Sequence, residues 1–165
     1  MSFELTCSGW SLDKDLQIVH ADVRLVVEGE ALIEEPLCVD VGLPALLLSA
    51  LEPVEPDRFT DPREWRMMPF FCCGCGDPEC RAFSFRVRHT SEGDIELTEL
   101  EERQGREPRQ LAVHTIDGEE YRRRVLSIGQ AFLQFIEPLD YHPHHHETLA
   151  QVKRLVKQLS AGQSK

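Results

Sequence analysis

The chain has no apolar run long enough to cross a bilayer. Its longest, about 41–51, is interrupted by Gly42 and Pro44 and falls short of the ~20 residues a spanning helix needs. The marks of common catalytic scaffolds are missing too. No G-x-S-x-G surrounds Ser8 or Ser127, no phosphate loop or dinucleotide fingerprint occurs, and there is no H-E-x-x-H. These absences disfavour hydrolase, nucleotide-dependent and zincin chemistry. The N-terminal residues lack the basic start, apolar middle and small-residue cleavage site of a secretory signal, which predicts a reducing, cytoplasmic location.

Positive charge is scarce and unevenly placed. The net charge is -11, with twelve acidic against three basic side chains in residues 1–60 and seventeen against fifteen in the rest. Such a surface repels phosphate backbones and anionic lipid, so neither nucleic acid nor a membrane is expected as a partner, despite Arg122, Arg123 and Arg124. It speeds encounter with a basic protein, and it also serves solubility alone.

What the chain does have is a cysteine cluster. Residues 69–85 read PFFCCGCGDPECRAFSF and hold Cys72, Cys73, Cys75 and Cys80, four of the six cysteines. Gly74 and Gly76 permit a tight backbone, and Asp77-Pro78 adds a turn signal. Phe70 and Phe71 before it, and the alternating Phe83, Phe85 and Val87 after it, predict two strands joined by this knuckle. In a reducing compartment clustered thiols are metal ligands or redox groups more often than disulfides. Cys73, Cys75 and Cys80 can supply three thiolates to a tetrahedral Zn(II).

The fourth ligand would be Cys72 or a histidine, with His89 and His114 as candidates. Adjacent residues of a strand point to opposite sides, so at most one of Cys72 and Cys73 is expected to face the same centre as Cys75. No second cysteine pair of the zinc-ribbon kind follows, and the spacing does not match iron-sulfur runs. A zinc site, a tight turn with buried reduced thiols and a redox site all remain open. The run His142, His144, His145, His146 suggests adventitious metal affinity, although His142 and His146 could share a helical face.

Periodicity predicts an α+β fold in a single domain over 1–165. Residues 1–52 read as an acidic β-meander, with a hairpin at Gly29, plus a short helix over 44–51; 53–64 are a proline-rich loop that covers a cleft or simply connects. Residues 65–137 hold the cysteine knuckle, further hairpins and a helix. Asp117 is placed to cap that helix, and Tyr121, Val125, Ile128, Phe132 and Phe135 form its apolar face. Residues 138–165 add a histidine-rich loop and a last helix beginning at Pro143. The expected architecture is one antiparallel sheet of several hairpins, with a short central helix and two C-terminal helices packed on it.

The order Cys73-Gly-Cys75-Gly-Asp-Pro-Glu-Cys80, then strands, then Asp117-Gly-Glu-Glu-Tyr121, resembles small bacterial proteins with a C-x-C-G-x3-C knuckle, a hairpin and a helix that begins near an acidic-x-x-x-Tyr stretch. The likeness spans about 65–136. Cys72 is extra, and the tryptophan expected in the strand after the knuckle is replaced by Leu97 or Leu100 nearby. That group has no established activity, and some similar small acidic proteins act as immunity or inhibitor factors. The expectation is therefore a non-enzymatic cytoplasmic binding protein with an acidic surface for a basic partner and a structural knuckle. The alternative is a metal- or thiol-dependent enzyme that uses the cysteine cluster.

Overall fold

The computed structural model describes residues 2–73, 80–143, 145 and 147–163. Among them six strands and three α-helices form an α+β fold, in the order β1 (Phe3–Asp13), β2 (Ile18–Val27), β3 (Glu30–Cys38), α1 (Leu43–Ser49), β4 (Ser84–His89), β5 (Asp94–Glu101), β6 (Arg109–Asp117), α2 (Gly118–Ile136) and α3 (Glu147–Gln163). No helix among the described residues is long and apolar enough to cross a membrane.

The hairpins are antiparallel, as expected, but they sort into two three-stranded sheets, β1-β2-β3 and β4-β5-β6, rather than one. Alternation drives the first sheet: Val19, Ala21, Val23, Leu25 and Val27 of β2 are all buried on one face. Glu28 and Gly29, both with positive φ, make the two-residue turn into β3. β1 runs on past Cys7 through a bulge between Ser8 and Ser11, so its alternation breaks midway and the sequence reads shorter than the strand.

One contiguous core joins both sheets and all three helices. Phe3, Leu5 and Leu25 from the first sheet meet Phe85 and Leu97 from the second around Leu46, Phe70, Phe71 and Tyr121. Every residue of α1 is buried, which makes it the central post of the fold. At Gly42, which starts α1, a Cβ would collide with the backbone carbonyls of Pro69 and Phe70. Only glycine lets the segment leading into the knuckle lie this close to α1. A second close approach occurs at Gly129 of α2, where a Cβ would come within 2.7 Å of Val156 on α3 and 2.9 Å of Leu47 on α1.

The Asp117 carboxylate accepts from the Glu120 amide at 3.0 Å and caps α2 as expected. Arg123 and Arg124 both pair with Glu120. Arg122 instead lies against Gly162 near the end of α3, where the helix dipole favours a cation, with its Nε buried and unpartnered among the described residues. α3 starts at Glu147 rather than Pro143, so His142 precedes the helix.

Candidate functional site

The knuckle is closed at its base by a single antiparallel bridge, Phe71 to Phe83, in place of the two full strands expected there. β4 begins only at Ser84. Just above the bridge the Cys73 and Cys80 sulfurs lie 3.5 Å apart. Cys75 lies outside the described residues. Cys72 is buried with Val41 and Met68, and its thiol donates to the Pro69 carbonyl at 3.4 Å. The alternation of an extended chain sends it to the opposite side from Cys73.

The proposed histidine ligands are drawn elsewhere. His89 is five residue steps beyond Ser84, about 16 Å along a strand, and its Nε2 is held by the Ser49 carbonyl at 2.8 Å. His114 lies on the far strand of the sheet, opposite Leu97, with its Nε2 bonded to the Glu99 carboxylate at 2.8 Å. The structure therefore brings together Cys73 and Cys80 but neither histidine. No group of three or more potential ligands is assembled among the described residues.

The 53–64 loop clamps this region. Val54 pairs with Val87, and the Arg58 guanidinium donates to the Cys80 carbonyl at 2.5 Å. The Arg58 amide reaches both oxygens of Glu102 at 3.1 Å, and the Ser84 hydroxyl donates to the same carboxylate. Burial pushes the Glu102 carboxyl up, and these hydrogen bonds pull it back. Beside the clamp lies a cleft of about 650 Å³ whose walls include Glu55, Asp57, Glu102 and Glu107, with Phe59 and Met67 as apolar lining. The loop thus borders a cleft as well as connecting.

Three carboxylates of the acidic first third are bound by arginines that follow it in the chain: Glu52 by Arg66, Glu35 by Arg81 and Glu55 by Arg86. Hydrogen bonds from Arg81 hold the Glu35 carboxyl below its usual range. Asp13, Asp15, Asp22, Glu28 and Glu30 have no ion pair among the described residues, and all belong to the first sheet or its turns.

Two further groups are not readable from sequence pattern. His20 and Cys38 face each other across β2 and β3, with Nε2 and Sγ 3.4 Å apart. Only the register of the sheet reveals them. Asp40 is 3% exposed and accepts from the Tyr141 hydroxyl at 2.7 Å across 101 positions. A lone acid between Val39 and Val41 was its only signal. In the histidine run, His142 pairs with exposed Asp140 at 2.8 Å. His144 and His146 lie outside the described residues, so the pairing of His142 with His146 does too.

The thiols differ in accessibility, and alkylation reads this directly. Burial pushes the Cys7 thiol up to about 12, and Cys72 is buried. Iodoacetamide at mildly alkaline pH, followed by peptide mapping, is expected to label Cys7 and Cys72 only after unfolding, because the thiolate is the nucleophile. Labelling of native Cys7 as fast as Cys38 would contradict its half-buried, protonated state.

No family model matches the chain, and neither a curated protein nor a solved structure matches it.

Proposed function

We propose that the chain is a non-enzymatic cytoplasmic binding protein of the immunity or inhibitor type, which meets a basic partner through its acidic first sheet. One observation carries this reading: once internal ion pairs are set aside, five carboxylates remain along that sheet, Asp13 and Asp15 at its β1–β2 turn, Asp22 within β2, and Glu28 and Glu30 at the opposite, β2–β3 end. Carboxylates spread over one strand layer attract cationic surfaces and steer encounter more than they hold a complex. The test is association with basic candidate partners at low and high salt. The association rate is expected to fall steeply as the screening length shrinks below about 10 Å. A rate indifferent to salt removes the electrostatic mechanism.

A second reading rests on the Cys73–Cys80 separation of 3.5 Å. Tetrahedral zinc with bonds of about 2.3 Å sets its sulfurs roughly 3.8 Å apart, so the pair is close to a two-ligand edge. In this reading Cys75 is the third thiolate and the zinc ties the knuckle shut. Elemental analysis of untagged protein, wild type beside Cys73→Ser, is expected to give stoichiometric zinc that the variant loses. Metal-free wild type leaves a thiol pair and no zinc site.

A further inference from the structure

We infer that Cys38 is a hydroperoxide-reactive thiol, with His20 as the group that takes up its proton and hands it on.

The pair sits on the outer face of the first sheet. Val19, Ala21, Val23, Leu25 and Val27 of β2 fill the inner face, so His20, Asp22 and Arg24 between them lie on the other. Register places Cys38 of β3 directly opposite His20, with Ser11 of β1 on its other flank. The His20 Nε2 and the Cys38 Sγ are 3.4 Å apart, and both residues are half-buried. Paired strands, not a loop, set this spacing.

The charges around the pair suit proton transfer. Asp22 lies two residues from His20 on the same face and has no ion pair among the described residues. A Cβ on Gly9 would come within 2.7 Å of the Asp22 Oδ2, so that carboxylate leans over β1, on the side of β2 away from Cys38. It favours a protonated imidazole without crowding a thiolate. The other charged groups nearby are engaged. Arg24 pairs with Glu4 and Glu34, Glu35 with Arg81, and Asp40 accepts from Tyr141 in the interior. Asp13 accepts from the amides of Asp15 and Leu16 in the β1–β2 turn.

A thiol beside an imidazole gives its proton to the ring and leaves the thiolate, the nucleophilic form. With a hydroperoxide the sulfur attacks one oxygen. An S–O bond forms, the O–O bond breaks, and sulfur loses the electron pair that the peroxide gains. His20 passes its proton to the departing oxygen, so the products are a sulfenic acid at Cys38 and water or an alcohol. The acidic sheet repels anionic oxidants such as glutathione disulfide and leaves small neutral peroxides unhindered. Cys7, opposite Val23, faces the inner side and cannot trap the sulfenic acid as a disulfide.

The reduced full chain, treated with hydrogen peroxide, trapped with dimedone and mapped by mass spectrometry, tests this. At about pH 6.5, where a thiol of ordinary pKa about 8.5 is roughly one-hundredth ionised, native Cys38 is expected to form its adduct about tenfold or more faster than Cys38 of the urea-unfolded chain. His20→Gln, checked for folding by circular dichroism, is expected to lose that advantage at this pH and to regain the wild-type rate above about pH 9, where the thiol ionises unaided. A contact that only satisfies two polar groups would leave the pH profile of the variant like that of the wild type. If the variant fails to fold, the comparison of native with unfolded wild type still decides. Native Cys38 no faster than the unfolded thiol, or a folded His20→Gln with the wild-type profile, overturns the proposal.

Discussion

Phe132→Ala is expected to lower the unfolding free energy by about 3–5 kcal/mol, the largest loss of any substitution considered. The ring is fully buried. It meets Trp10 of β1 edge-on at 6.2 Å and Tyr141 at 6.1 Å, so it joins the first sheet, α2 and the segment before α3. Such ring pairs contribute beyond their buried area. The hole cannot close easily, because Trp10 is also stacked on Phe135 at 6.0 Å and Tyr141 is tethered to Asp40. Urea unfolding of wild type and variant should show a lower midpoint at unchanged slope. A loss below about 1 kcal/mol would mean that the neighbours refill the space.

Tyr141→Phe is expected to cost about 1.5–3 kcal/mol at neutral pH, the range for a hydrogen bond to a charged group. Burial pushes the Asp40 carboxyl above its ordinary 3.8, and the Tyr141 hydroxyl, with the amides of Val19, Val41 and Asp40 itself, pulls it back. The folded value therefore lies above the unfolded one. The native state holds more protons in that interval, and stability falls as pH rises through it. Removing the hydroxyl raises the folded value further and carries the fall to higher pH. Below the ordinary value the carboxyl is neutral in both states, and the difference between variant and wild type shrinks toward an ordinary hydrogen bond of about 1 kcal/mol. Unfolding in urea at neutral and strongly acidic pH checks this. An equal loss at both would assign the effect to packing rather than to the carboxylate.

Local signals carried much of the fold. The Asp117 cap, the apolar spacing from Tyr121 to Phe132 and the turn at Gly29 each involve residues within one element or one hairpin, and each appears where the sequence puts it. The division into two sheets does not follow from such signals. Alternation tells which face of a strand is buried but not which strand lies beside it. The same limit hid the His20–Cys38 contact and the bond between Asp40 and Tyr141, which depend on register or on chain segments far apart. His89 and His114 looked eligible as ligands because they follow the knuckle in sequence. Their strands carry them to Ser49 and Glu99 instead. The opposite orientations of Cys72 and Cys73 were legible, since they follow from the pleat alone.

The bare backbone of Gly42 has a mechanical meaning. With the carbonyls of Pro69 and Phe70 seated where a side chain would be, α1 cannot tilt or slide without moving the segment that leads into the cysteines. The helix and the knuckle base, some 27 positions apart, therefore form one cooperative unit that opens and closes together. Metal capture or oxidation at Cys73 and Cys80 would reach the protein's central post through this clasp.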